Sequence, residues 1–186
     1  MLHFDLEPVG FERLQRELGA SDRQVRLAFN RALNRTVSRL RMLSSRGLQS
    51  ELGLRRAAAM RRRLKSIRVR GAGGMTEARL WYGLNNLPVS EFKGRARRTP
   101  QGASFQGGPV RGDFPGAFVA KPGGAGRRSI FSRVKAVRLP ISEETLAIKD
   151  KADTFVEDQV FDQLEDILWR EFRRDLEART VYSVGG

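Results

Sequence analysis

An α+β fold is what this sequence predicts, with long N-terminal helices and a long C-terminal helix flanking one antiparallel β-sheet. Three observations point to it. Apolar residues recur at the helical period after Ser21 and again from about Asp150 to Val181. Between those stretches the period changes to two, and glycine and proline crowd the middle of the chain.

Taken in order, residues 1–20 open with a short apolar alternation (Leu2, Phe4, Leu6). Pro8 and Gly10 follow, then a helical fragment with Phe11, Leu14 and Leu18 on one side, ended by Gly19. Ser21 with Gln24 three residues later is a capping-box signature, so a long helix should follow. Its apolar stripe is Val25, Ala28, Phe29, Ala32, Leu33, Val37, Leu40 and Leu43, and Gly47 is its expected stop. Leu48–Gly53 reads as a turn or short helix. Leu54–Lys65 then reads as a second helix, favoured by the propensities of Ala57, Ala58, Ala59 and Met60.

At Ser66 the period becomes two. Ile67 and Val69, the Gly71–Gly74 loop and Met75–Tyr82 together signal a β-hairpin. A further strand pair is expected around Glu91–Arg97 and Ala103–Gln106. Residues 94–126 hold nine glycines and four prolines, which predicts turns and extended loops rather than packed helix. Two readings of that stretch stay open, a long surface loop and a segment that orders only against a partner. Inside it, the apolar run Gly116–Ala120 is mirrored by Ser129–Val134 across Pro122–Gly126, a core hairpin with Phe118 and Phe131 as buried anchors. Ala136–Ile141 is expected as a last strand, stopped by Pro140. Ser142 opens an acidic helical region, where Glu143 and Glu144 suit the positive end of a helix dipole. The main helix after it carries Phe155, Val156, Val160, Leu164, Ile167, Leu168 and Phe172 as its stripe. The expected organisation is a single domain, 1–186, in three parts: basic helical 1–65, a β-sheet part 66–141 containing loop 94–126, and an acidic C-terminal helix 142–186.

Charge is the most unequal property of the chain. The formal net charge is +14, yet residues 142–186 contain twelve acids and six bases, a net of −6, which leaves +20 on residues 1–141. A basic body with an acidic end has complementary patches for head-to-tail stacking of copies. With no cysteine, disulfides and thiolate metal sites are excluded. No run approaches the roughly 18–20 apolar residues of a membrane span, and the start Met1–Glu7 lacks a basic, apolar leader, so a soluble chain made in a cytoplasm is expected. The one histidine, His3, stands near the terminus, and no nucleophile elbow, Walker loop or His-x-x-x-His pair occurs. The chain is expected to be a non-enzyme, with no catalytic, cofactor-binding or metal-ligating residues and no cofactor.

The order of segments resembles a known family. The residues concerned are Ala32-Leu33-Asn34-Arg35-Thr36, the Ser50-Glu51-Leu52-Gly53 turn into the arginine-rich Leu54–Lys65, and Leu80-Trp81-Tyr82-Gly83-Leu84. Phe114-Pro115-Gly116-Ala117-Phe118-Val119-Ala120, Ile130-Phe131-Ser132-Arg133 and Arg138-Leu139-Pro140-Ile141 complete the set. Over roughly residues 25–145 this co-linear set is similar to the minor tail protein Z family of tailed phages and prophages. The resemblance implies a tail-completion protein at the head–tail junction, or neck. It would be a virion component assembled in the host cytoplasm, forming a homo-oligomeric ring, commonly a hexamer, around the DNA channel. Its partners would be other junction and tail proteins (terminator and head-completion proteins) and, where the channel is lined, packaged DNA. Under that reading Arg55, Arg56, Arg61, Arg62, Arg63 and Lys65 are the interface or channel-facing charges, and Phe114, Phe118 and Phe131 are packing or loop anchors. The alternative is a non-specific nucleic-acid-binding protein, whose arginine-rich helices would neutralise phosphates.

Overall fold

The computed structural model describes residues 8–70, 76–121, 127–135 and 137–181. The Leu2, Phe4, Leu6 alternation, His3, the Gly71–Gly74 loop, the Pro122–Gly126 connection and Ala136 lie outside them. The class is α+β, with helices at both ends of the described chain and antiparallel strands between. Among the described residues the strands do not form the one sheet expected; they pair in four small ones. Contacts divide the chain into two compact units. Unit 1 is Met1–Leu40, Ser66–Leu80 and Phe161–Gly186; unit 2 is Arg41–Lys65 and Trp81–Val160.

Helix α1 (Pro8–Leu18) ends at Gly19, and α2 (Asp22–Glu51) begins directly after Ser21, the first residue of the capping box. Both reciprocal bonds of the box are made: Ser21 N–H donates to Gln24 Oε1 at 2.8 Å, and Gln24 N–H donates to Ser21 Oγ at 3.3 Å. Replacing Ser21 with alanine is expected to cost about 1 kcal/mol in chemical denaturation, and with glycine only a few tenths. In unit 1, Ala28 and Ala32 of α2 face Leu168, Phe172 and Leu176 of α5 (Leu164–Thr180). The alanines let the helices approach, and Phe172 fills the gap. Its ring takes Phe29 edge-on at 6.5 Å and Trp169 at 5.9 Å between centroids. Leu14 and Leu18 of α1 close this core.

The helix α2 runs through Gly47, where the sequence predicts a stop, and continues to Glu51. A Cβ on Gly47 would overlap the Phe155 ring, so glycine serves close packing there, not termination. Gly53 is the true terminator. It sits at φ +63°, Leu54 N–H donates to Gln49 O at 2.8 Å and Gly53 N–H to Ser50 O at 3.1 Å. That pair of bonds is a Schellman motif, available cheaply only to glycine.

The expected helix Leu54–Lys65 shrinks to α3 (Ala58–Arg61). Leu54 instead bridges Phe92, Arg55 N–H donates to Glu91 O at 2.9 Å, and from Leu64 the chain enters β1 (Leu64–Arg70), which pairs with β2 (Thr76–Tyr82). Helix propensity of three alanines, a few tenths of a kcal/mol each over ordinary residues, loses to burial of Leu54, Met60 and Leu64. Ser44 and Tyr82 share a hydroxyl–hydroxyl bond of 2.8 Å. Burial raises the Tyr82 phenol above its ordinary pKa, against the smaller lowering effect of that bond.

Residues 94–120 are largely strand, which corrects the loop reading. β4 (Arg95–Thr99), β5 (Gly102–Gly107) and β6 (Val110–Pro115) form a meander, in register Arg95↔Gln106, Arg97↔Ser104, Gln106↔Arg111 and Ser104↔Asp113. The expected Glu91–Arg97 strand thus starts later, because Val89–Glu91 is a 3₁₀ turn after β3 (Leu87–Pro88). The hairpin expected across 116–134 is present as β7 (Phe118–Ala120) and β8 (Ser129–Arg133), but its buried phase is the opposite one. Val119 and Ile130 are buried, while their neighbours Phe118 and Phe131, paired with each other, are only half-buried. Ser142 does not open a helix; it lies in β9 (Ile141–Glu143), which pairs with β8, and residues 137–140 are not strand. β10 (Thr145–Leu146) pairs with β3. Helix then runs from α4 (Lys149–Phe155) through a π turn at Val156–Val160 and a 3₁₀ turn at Phe161–Gln163 into α5.

Candidate interaction surface

Fixing the fates of the arginines divides the basic stretch in two. Arg63 donates from Nη1 to Asn85 O at 2.7 Å and from Nη2 to Asn86 O at 3.3 Å, so it pins a loop. Arg55 is half-buried, with Nη2 donating to Gly94 O at 3.4 Å. Lys65 Nζ lies 5.6 Å from the centroid of the Trp81 ring, a cation–π contact. These three are occupied by the fold. Arg56, Arg61 and Arg62 remain exposed, with no side-chain partner among the described residues. Carbonyl dipoles and an indole face therefore absorb half of a charge run whose members would otherwise only repel.

Arg56 reaches a polar cleft of about 440 Å³ lined also by Ser90, Glu91, Arg127, Ser129, Phe131 and Glu143. Glu143 is fixed there by Ser90 N–H at 2.9 Å and Ser129 Oγ at 2.5 Å. Ser129 Oγ thus donates to the Glu143 carboxylate, and among the described residues no histidine or lysine lines the cleft. Phe131 borders this cleft, while Phe114 and Phe118 are half-buried strand residues of β6 and β7. The fully buried aromatic of the unit is Phe92, with Phe105 at 6.3 Å between centroids.

A basic surface that the linear pattern does not single out lies on the β4–β5–β6 sheet. Directly paired residues share a face, so Arg95, Gln106 and Arg111 form one row and Arg97, Ser104 and Asp113 the next. The opposite face carries the buried Ala103 and Phe105. Strand geometry puts Arg95 and Arg97 about 7 Å apart and Arg95 and Arg111 about 10 Å apart at Cα. All three arginines are exposed, and none has an ion pair or side-chain hydrogen bond among the described residues. The Arg95-Ala96-Arg97 alternation is the visible signal; Arg111 joins only through the register of β5.

In unit 1 the opposite holds. Asp175 faces Arg31 and Arg35, each at 3.5 Å, and its other oxygen takes Arg179 Nε at 2.8 Å. Glu171 adds contacts to Arg35 at 3.5 Å and Arg174 at 3.7 Å. Part of the acidity of the C-terminal segment is thus consumed within the chain by α2. Beyond it lies a run with no Lys or Arg between residues 152 and 169 and six carboxylates. Of these, Asp162, Glu165 and Asp166 in unit 1 are exposed and have no partner among the described residues.

Among the described residues no group of three or more His, Cys, Asp or Glu is arranged to hold a metal ion, and no helix is long and apolar enough to cross a membrane. No family model, curated protein or solved structure matches the chain.

Proposed function

We propose that the chain is a structural protein of a tailed-phage particle, in the tail-completion or head–tail junction role, joining tail to head as an oligomeric ring around the DNA channel. The likeness of residues 25–145 to minor tail protein Z proteins supplies the role. The observation that carries an assembly function is the population of exposed guanidinium groups on unit 2 without partners among the described residues: Arg56, Arg61, Arg62, Arg95, Arg97 and Arg111. Such a surface is stable in water but attracts a negative counterpart.

The same guanidinium groups favour a second reading, non-specific contact with nucleic acid. The two separate by salt: phosphate binding weakens with a log–log slope of about −0.9 per contact, so a basic coat protein would lose most of its affinity between roughly 50 and 200 mM salt. The deciding experiment locates the chain in particles released from the cell that encodes it. The junction reading expects it on tailed particles at the head-proximal end of the tail, and it fails if the chain stays free of particles. Arg61→Glu with Arg62→Glu is then expected to leave the fold intact, since neither side chain has a partner among the described residues, while yielding unjoined heads and tails. Arg63 is excluded from that variant because it holds Asn85 and Asn86. Normal numbers of joined particles would remove the basic turn from the interface.

A further inference from the structure

We infer that the arginine face of the β4–β5–β6 sheet receives the acidic Asp162–Asp166 segment of a second copy of this chain. The inference deepens the assembly reading and rests on it only in requiring that copies meet.

Both halves of the contact are present in one sequence, and neither half is paired among the described residues. Arg95, Arg97 and Arg111 stand on one sheet face without a carboxylate within ion-pair distance. Asp162, Glu165 and Asp166 equally lack a cation there. Asp162 lies in the 3₁₀ turn that leads into α5, and Glu165 and Asp166 stand in the first turn of α5, so three carboxylates fall within five residues at that junction. Asp113, on the β6 side of the same face, excludes an acidic partner from that corner and steers the triad towards β4, which fixes a register as well as an attraction.

The occupant is a second copy rather than a polyphosphate because the chain itself supplies the anion. Residues 152–169 carry six acids and no base, so like charges gather there and a cationic surface relieves their mutual repulsion. A sheet meeting a helix joins two different patches: it closes into a two-fold dimer when both contacts form reciprocally, and into a ring or filament when each copy gives its sheet to one neighbour and its acidic segment to another.

The test is a charge swap on the full-length chain, read by sedimentation velocity at low and at physiological salt. Arg95→Glu/Arg97→Glu is expected to weaken self-association at least about tenfold, and Asp162→Lys/Glu165→Lys/Asp166→Lys to do the same. The two variants, each alone dissociated, are expected to associate when mixed, because the intact acidic segment of the first meets the intact sheet of the second. A chain carrying both reversals is expected to recover association. Misfolding cannot produce that rescue. Parent-like association of either variant, or absence of rescue on mixing, overturns this contact and leaves the junction reading to the particle experiment. A parent chain that stays monomeric at all concentrations overturns it as well. Binding of duplex DNA that the sheet reversal abolishes, with self-association unaltered, reassigns the face to nucleic acid.

Discussion

Replacing Asp175 with alanine is expected to cost the fold about 3–5 kcal/mol, more than a typical core truncation of one or two methylene groups. The side chains of Asp175 and Arg179 retain only 5% and 7% of their exposure. Removing the carboxylate takes from the buried Arg179 guanidinium the acceptor of its Nε–H, and Arg31 loses its anion on α5 while Arg35 keeps Glu171. The penalty is mostly the buried charge deprived of its carboxylate and not the lost attraction. Asp175→Ala combined with Arg179→Leu is therefore expected to recover most of the loss, since a buried pair exchanged for packed apolar groups is often close to neutral. Guanidinium denaturation of the two variants beside the parent measures both quantities. A loss below about 1 kcal/mol in the single variant would mean that the remaining surroundings of Arg179 compensate its charge once Asp175 is gone.

Gly47→Ala is expected to destabilise by about 1–2 kcal/mol, with a sign opposite to the usual one. In an ordinary helix interior that change gains close to 1 kcal/mol by propensity. Here the new methyl group would collide with the tip of the half-buried Phe155 ring, and overpacking costs about 1–3 kcal/mol. The control is a double-mutant cycle with Phe155→Ala. In that background Gly47→Ala is expected to become neutral or stabilising, because the ring that forbade the methyl group is gone. Equal effects in the two backgrounds would detach Gly47 from Phe155.

Local signals survive from sequence to structure, and non-local ones do not. Ser21, Gln24 and Gly19 act within a few residues of themselves, so the capping box and the end of α1 are legible. The α+β class follows from the two periods. The end of α2 is misread because glycine is both a terminator and a close-packing residue. Only a ring from residue 155 separates the roles of Gly47 and Gly53. Leu54–Lys65 is misread because the Leu54–Phe92 bridge outweighs the alanine run, and that bridge spans distant chain. In 116–134 both phases of the alternation contain apolar residues, so nothing in the pattern chooses Val119 and Ile130 over Phe118 and Phe131. Glycine density in 94–126 marks tight turns between strands as readily as it would mark a loop.

The candidate surface is half legible for the same reason. Counting arginines along residues 55–65 locates the basicity but not its use, since Arg55 and Arg63 are bound to carbonyls of residues 94, 85 and 86. Arg95, Arg97 and Arg111 become neighbours only through strand register. The division of net charge between the body and the C-terminal segment is visible at once. That Asp175 and Glu171 spend theirs on Arg31 and Arg35 is not.

The interleaving of the two units has a consequence for anyone who would dissect the gene. Three separate stretches of sequence make unit 1, so no single cut liberates either unit whole. A stop codon after Asp150 would strip Leu168, Phe172 and Leu176 from the alanines of α2 and expose that hydrophobic seam. Truncation libraries would therefore score collapse and aggregation where they set out to score attachment, and point substitutions on the rim are the instrument suited to this architecture.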